Sequence, residues 1–341
     1  MKHISCLPVA GEENPYQKLM MNGLKEAKNL EVKHGSKNKI FGILLTAIFQ
    51  RPDYIHFDWI HQYYYRGSKW MTYLNFPIFI LQVWVVRNIL RTKLVWTLHN
   101  IMPHDSPTNG PYLWSRIFFA NQVEWIRVFD KGTVDRASTM FKLPRSMFKI
   151  IPEGSYVGYY PNDLSRAESR GKLSISTEEK VYLFFGSIRP YKGIEELINA
   201  FHSLDKGELI IAGNCKSKAY LNELVELINK NPRIIFKPAS IDVEDVQIYM
   251  NSADIVVLPF KKIENSGSVI LAMGFKKPVI APNIGILPTR LKAQLELLYD
   301  DDLTSKIKRV SMLSEKELSD IGSQNYQNLL LNKWNDLAQE F

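Results

Sequence analysis

Short apolar runs bounded by turn residues recur along the chain, separated by stretches whose apolar positions fall at helical spacing. In the second half, Val181–Phe185, Leu209–Gly213, Ile234–Phe236, Ile255–Leu258 and Pro278–Ile280 have the length and unbroken apolarity of strands covered on both faces. Between them, Ile194–Ser203, Ala219–Asn229, Val243–Ser252 and a segment opened by Ser266-Gly267-Ser268 predict helices. Such βα alternation predicts a doubly wound parallel sheet. The first half reads as mixed α/β, with strands at His3–Val9, Asp53–Phe57, Leu94–Leu98, Ile126–Phe129 and Phe148–Ile151. Helices are expected from Asn14-Pro15-Tyr16 to about Lys28 and from about Ser68 to Arg91. The polar, turn-rich segment Tyr160–Lys180 is the expected linker between two domains. No internal repeat or low-complexity tract is present.

Chemistry collects just after the strands. The stretch Asp254–Pro282 reads as strand, loop, helix, strand, with Glu264 in the loop and Ser266, Gly267 and Ser268 at the helix start. Unpaired backbone N–H groups and the helix dipole make such a start a site for phosphate. The loop Gly186-Ser187-Ile188-Arg189-Pro190-Tyr191-Lys192-Gly193 also follows a buried strand and precedes a helix. Arg189 and Lys192 facing a helix N-terminus would form a diphosphate site. If the diphosphate is a leaving group, the same contacts strengthen as its negative charge develops. In the first half, the aromatic loop Trp59-Ile60-His61-Gln62-Tyr63-Tyr64-Tyr65-Arg66 and the turn bearing His99, Asn100 and His104 follow strands as well. His56, Asp58, His61, His99, His104 and Asp105 could be read as metal ligands, but their spacing matches no established site, and no Asp-x-Asp motif accompanies the phosphate loop. No metal and no cofactor are expected.

Composition sharpens this picture in two places. With 341 residues and 45% apolar content, two packed domains are expected and disorder is not. The net charge of +8 lies wholly in residues 1–165, which hold 20 Lys/Arg against 12 Asp/Glu, whereas residues 166–341 balance 23 against 23. The basic half favours an anionic partner: an acidic bilayer surface, a phosphorylated lipid carrier or nucleic acid. Cys6 and Cys215 fit no metal or redox spacing, which suits a reduced cytosolic setting. The N-terminus lacks an apolar core of signal-peptide length, and Trp70–Leu90, interrupted by Asn75, Pro77, Gln82 and Arg87, falls short of a spanning segment. A cytoplasmic protein, peripheral at most on the inner face of the plasma membrane, is expected.

Four elements taken together resemble the group 1, or family 4-like, nucleotide-sugar glycosyltransferases. They are the loop FGSIRPYKG, the run ADIVVLPF followed by ENSGSVILAMGFKKPVIAP, the turn Trp96-Thr97-Leu98-His99-Asn100, and the helix around Trp334. The resemblance covers essentially the whole chain. It implies two Rossmann-like doubly wound domains facing across a cleft, the GT-B arrangement. An acceptor domain over 1–165, a donor domain over 166–325 and a C-terminal helix over 326–341 packing back toward the first are then expected. It assigns the donor diphosphate to Arg189 and Lys192, with Gly186, Ser187, Ser266, Gly267 and Ser268 around it. Ser187 stands where the family often has arginine. Glu264 matches the first glutamate of the family's Glu-(seven residues)-Glu motif, near the donor sugar. The second, which usually holds the ribose, falls on Ala272. His99 is similar to the histidine of the N-terminal domain that contacts the donor sugar. Catalytic roles are therefore expected for His99, Glu264, Lys192 and Arg189, and acceptor contacts for Trp59, His61, Tyr63, Asn100 and His104.

The implied activity is a hexosyltransferase moving a sugar from a nucleotide-diphosphate donor to a glycan or lipid-linked glycan in bacterial cell-surface polysaccharide assembly. An anionic membrane surface is a further expected partner. Retention of anomeric configuration is implied, a course that needs no protein nucleophile. Inversion would instead need a base such as Asp58, His61 or Asp105. Core packing is the competing account of the cluster Trp59, Tyr63, Tyr64, Tyr65 and Trp70. An epimerase or hydrolase on the same fold would turn over its donor without an acceptor. A nucleic-acid-binding protein would show steep salt dependence, but no recognised nucleic-acid module supports it.

Overall fold

The apolar runs pair into two separate parallel sheets, six strands each among the described residues. The computed structural model describes residues 1–11, 15–65, 67–102, 109–175, 178–228 and 231–341. Two compact units result, one comprising Met1–Gly154 with Lys333–Phe341, the other Ser155–Asn332.

In the first unit the strands are β1 (Lys2–Leu7), β2 (Leu30–His34), β3 (Tyr54–Phe57), β4 (Lys93–Thr97), β5 (Trp125–Val128) and β6 (Phe148–Ile150), in the order β2-β1-β3-β4-β5-β6. Helices α1 (Pro15–Lys25), α2 (Gly42–Gln50), α3 (His61–Tyr64), α4 (Lys69–Trp84), α5 (Pro111–Ala120) and α6 (Lys131–Phe141) connect them. Ser68 caps α4 by accepting from the Met71 N–H at 3.4 Å, and Asp130 caps α6 through Thr133 N–H at 3.0 Å. On one sheet face Leu7, Phe57, Trp96 and Val128 pack with Phe79, Phe119 and Phe141 from the helices.

The second unit holds β7 (Val181–Phe185), β8 (Glu208–Ala212), β9 (Ile234–Lys237), β10 (Ile255–Val257), β11 (Val279–Pro282) and β12 (Leu298–Tyr299). Their order, β12-β11-β10-β7-β8-β9, reverses direction between β7 and β10. Ligands of doubly wound sheets bind outside the carboxyl ends of the strands at such a switch point. Helices α7 (Arg166–Leu173), α8 (Ile194–His202), α9 (Lys218–Ile228), α10 (Val246–Ser252), α11 (Gly267–Gly274), α12 (Leu287–Arg290), α13 (Leu303–Ser311) and α14 (Glu315–Leu330) flank the sheet.

Two boundaries differ from the sequence expectations, and the aromatic cluster divides between the two accounts given for it. Tyr160–Lys180 is no free linker, because it contains α7, held by a Ser165–Glu168 capping box and by Arg170. The Arg170 side chain is fully buried and donates to Asp254 at 2.7 Å, to the Ser252 carbonyl at 3.0 Å and to the Glu179 carbonyl at 2.9 Å. A buried guanidinium needs such partners, so the segment belongs to the second unit, which begins at Ser155. The second unit also runs on to Asn332, since α14 packs on α11. The part that joins the first unit is the 3-10 turn Trp334–Glu340, where Trp334 meets the Tyr16 ring edge-on at 5.3 Å. Finally, Tyr63 and Tyr64 are core residues, 3% and 1% exposed, whereas Trp70 is 67% exposed.

His56 on β3 is fully buried beside Thr97, its Nε2 2.8 Å from the threonine Oγ1, and burial pushes its pKa from 6.5 down to about 4. The unfolded chain therefore takes up a proton between pH 6.5 and 4 that the folded chain refuses, so stability falls on acidification through that window. His56 alone should cost about 2 kcal/mol between pH 7 and pH 5. Urea unfolding at both pH values checks this, and His56→Asn, which keeps a partner for Thr97 and does not titrate, should show a smaller loss.

Candidate functional site

In the second unit, the loops after β7 and β10 meet at the switch point. Gly193 has φ +70°, and a Cβ there would overlap the Pro259 carbonyl oxygen. The Lys261 N–H donates to the Tyr191 carbonyl at 2.9 Å, stitching the two loops together. At the other end Gly186, φ +136°, lies so close to Ser268 that an added Cβ would stand 2.8 Å from the Ser268 Oγ. The loop from Gly186 to Gly193 and the start of α11 thus form one structure. Close approach of backbone to backbone is what its glycines permit.

Lys192 is buried within this junction at 8% exposure. Its ammonium lies 4.2 Å from the Phe260 ring centroid and 5.4 Å from that of Tyr191, with no carboxylate in ion-pair range among the described residues. Burial, with Arg189 adding repulsion, brings its pKa down to about 8. Arg189 is half-buried at the head of the 3-10 turn Pro190–Lys192, and Ser187 is exposed. At the start of α11, the Ser266 Oγ is buried without a hydrogen-bond partner and does not cap the helix. The helix start therefore has no side-chain cap from its N-cap residue. Gly267 packs against Tyr156, whose hydroxyl would stand 3.1 Å from a Cβ there. Glu264 is half-buried in the same loop. Ala272 is fully buried inside the unit, so no carboxylate is offered from that position.

The first unit holds a second polar centre, after β3 and β4. His99 Nε2 lies 3.0 Å from the Asp58 Oδ1, and the Asp58 side chain is wholly buried. Burial alone would raise the Asp58 carboxyl. The His99 hydrogen bond, the neighbouring His56 and the Gln17 hydrogen bond outweigh it and hold the pKa below the ordinary carboxylate value. Gln17 donates to the Asp58 Oδ2 at 3.2 Å and to the Pro8 carbonyl at 2.8 Å. The His99 ring stacks on Trp59 at 4.7 Å and receives the edge of Tyr16 at 4.6 Å. Trp59, His61, His99, Asn100 and Asp58 line one small cavity with Trp96 and Arg116, whose guanidinium donates to the Asn100 carbonyl at 2.8 Å. Burial and the Arg116 charge push His61 down to about 4, so its ring is neutral at pH 7.

The sequence-predicted residues therefore fall into two groups. Gly186, Ser187, Arg189, Lys192, Glu264, Ser266, Gly267 and Ser268 gather around the β7–β10 switch point, and Trp59, His61, His99 and Asn100 around Asp58. Tyr63 stays apart, packed on Phe57 and lining a different groove with Gln62 and Ser36. His104 lies outside the described residues. Gln17 and Arg116 gave no sequence signal, because each acts through a backbone or side-chain partner far away in the chain. No group of three His, Cys, Asp or Glu side chains is arranged to hold a metal among the described residues.

Comparison with known proteins bears on both units. Residues 165–310 match the glycosyl transferases group 1 family model. A GDP-mannose:glycolipid 4-beta-D-mannosyltransferase from Xanthomonas campestris pv. campestris is 27% identical over 247 residues, covering 71% of this chain and 64% of that relative. A D-inositol 3-phosphate glycosyltransferase from Corynebacterium efficiens is 26% identical over 278 residues, covering 74% and 61%. The chain thus spans somewhat less than two thirds of the length of these curated relatives. Among solved structures, the sucrose-phosphate synthase from Thermosynechococcus elongatus aligns with a TM-score of 0.77 at 17% identity, covering 100% of this chain and 97% of that one. Anabaena HepE in complex with UDP-glucose aligns at 0.74 and 16%, covering 100% and 99%. The two Rossmann-like units share their fold with these solved structures, and residues 165–310, within the second unit, match the group 1 glycosyltransferases.

Proposed function

We propose that this chain is a hexosyltransferase that moves a sugar from a nucleotide-diphosphate donor to a glycan or lipid-linked glycan. The observation that carries the reading is Lys192, a buried ammonium with aromatic faces beside it and no carboxylate in ion-pair range among the described residues, at a junction where no N-cap side chain caps α11. A buried cation costs free energy unless an anion completes it. A diphosphate supplies that anion. Lys192 and Arg189 then stabilise the charge that develops on the leaving phosphate, taking the place of a divalent ion. Glu264 sits beside the donor sugar. Anabaena HepE in complex with UDP-glucose and the GDP-mannose-dependent relative support a nucleotide-sugar donor. The glycolipid in that relative's name supports a lipid-borne acceptor.

On the retaining course, the bond from the anomeric carbon to the diphosphate oxygen breaks with its electron pair going to the phosphate. The acceptor hydroxyl adds on the same face and gives its proton to the departing phosphate. A second reading, inversion, is favoured by the Asp58–His99 pair together with the beta linkage in that relative's name. There the acceptor proton goes to His99, and Asp58 orients the ring and supports its charge. NMR of the product anomer decides. An α-linked donor sugar should give an α-linked product; a β-linked product would replace the retaining course with the second reading.

Thermal shift with UDP- and GDP-sugars tests the donor assignment, since a bound ligand raises the melting temperature according to occupancy. Lys192→Met should abolish the shift and yet raise the melting temperature of the free protein, because an uncompensated buried charge is removed. The gain is expected at about 1–3 kcal/mol. A variant that still binds nucleotide-sugars like the unaltered chain would sink the assignment.

Donor affinity should also depend on pH. Lysine that titrates at about 8 is charged below that value and neutral above it. The dissociation constant, measured by calorimetry, should therefore be lowest below pH 8 and rise about tenfold per pH unit well above it. In Lys192→Arg the rise should be absent up to pH 10.

A further inference from the structure

Helix α4 buries Phe79 and Val83 in the core and yet departs from the pattern that surface helices follow. Such a helix turns an apolar stripe to the core and a polar one to water. In α4 the polar side chains Thr72, Asn75 and Gln82 are buried, and the exposed stripe carries Trp70, Leu74, Pro77, Leu81 and Trp84 at spacings of four, three, four and three. The buried polar groups are satisfied internally: Thr72 donates to the Ser68 carbonyl at 2.9 Å, Asn75 to Met71 at 2.7 Å and Gln82 to Ile40 at 2.8 Å. Nothing charged occurs between Lys69 and Arg87. Beside the stripe, a groove between α4 and α5 is lined by apolar side chains only, with Trp114 on its far wall. At the far end of α4 the exposed Ile48 and Leu90 enter a second groove, which carries Lys2, Arg51, Arg91 and Lys93 against a single acid, Asp53. An exposed apolar area of this extent calls for a covering partner.

We propose that this face of the first unit docks on an anionic lipid bilayer, the α4 stripe entering the boundary between headgroups and acyl chains and the basic groove holding lipid phosphates. Two observations select a bilayer. Among the described residues no helix is long and apolar enough to cross a membrane, and α4 packs Phe79 and Val83 into the core, so its exposed stripe suits lying in the interface. The whole net charge of +8 also belongs to residues 1–165. A symmetric contact with a second copy would set a patch against itself and crowd Arg51, Arg91 and Lys93 against their equals. Because β3 and β4 are parallel, α4 runs back antiparallel to them, which puts Trp70 at the strand edge that bears Asp58 and His99, and Trp84 at the opposite one. The proposal deepens the membrane side of the proposed function and does not depend on the donor site.

Co-sedimentation of the full chain with vesicles tests it. Binding is expected to vesicles containing phosphatidylglycerol, to weaken with salt and to be much weaker with phosphatidylcholine alone. Leu81→Glu combined with Trp84→Glu should lower the partition coefficient by more than about tenfold. Arg51→Gly and Arg91→Gly, at positions with φ +46° and +58° that glycine adopts without strain, should each lower it about fivefold. The nucleotide-sugar thermal shift should survive in all four substitutions and so reports folding. Equal sedimentation of variants and unaltered chain, or equal binding to both vesicle types, would overturn the proposal. So would a dimer in lipid-free buffer that Leu81→Glu dissolves, which would make a second copy the occupant. Vesicle binding without any nucleotide-sugar shift would instead count against the donor reading and leave the docking face standing.

Discussion

The second unit depends on two turns touching where the sheet reverses direction. The Pro259 carbonyl occupies the space that a side chain at residue 193 would need, and the Lys261 N–H closes the contact on Tyr191. Glycine at 193 is therefore a packing requirement, and glycine at 186, with φ +136°, a backbone one, before either is a matter of binding. The consequence reaches outward. With the turns locked, Lys192 has nowhere to extend into water, and its ammonium rests on Phe260 and Tyr191. The same lock sets Ser268 against Gly186, which fixes the start of α11 relative to the cation.

A cation held that way is a cost in the free protein. Aromatic faces return part of the lost hydration, about 2 kcal/mol when the ion is desolvated, and a pKa near 8 shows that the return is incomplete. Folding elsewhere must carry the difference. The Arg170–Asp254 pair makes the contrast clear: it is as buried, yet each group is matched, with Asp254 also accepting from Arg166 and from the Val181 N–H at 2.8 Å. Of these two buried cations Arg170 is completed by the protein, whereas Lys192 has no carboxylate in ion-pair range among the described residues. Unmatched burial of this kind marks a functional site more sharply than exposed charge does.

Much of this was legible in the sequence where the signal was local. The strands of the second unit are unbroken apolar runs, and the glycines and cations of its loops stand immediately after them, so fold and donor loops could be placed together. Distant pairings were not legible. Strand Leu30–His34 escaped notice because it is a short edge strand that alternates apolar and polar residues, and helix Gly42–Gln50 because it is apolar nearly all round and shows no amphipathic period. The segment Tyr160–Lys180 read as a linker on composition, although Arg170 is anchored 84 residues away on Asp254. Tyr63 and Trp59 stand in one aromatic run, yet one points into the core and the other stacks on His99. Trp59 lies in the loop before α3 and Tyr63 within the helix, a difference that composition cannot register.

The two units also differ in how they treat charge, and that difference follows from what each must hold. In the second, net neutrality leaves the field to a few placed groups, so the proposed donor would be recognised by geometry: one ammonium, one guanidinium and the N–H groups of a helix start. In the first, the polar centre at Asp58 and His99 is self-contained, with the acid matched by His99 and Gln17 and screened by Tyr16 and Trp59. Its surplus positive charge lies outside that centre. Spread over a surface and salt-screened beyond about 10 Å, such charge cannot orient a small ligand, but it adds up over an extended one. A donor of fixed shape suits the first arrangement, and a partner of large area suits the second.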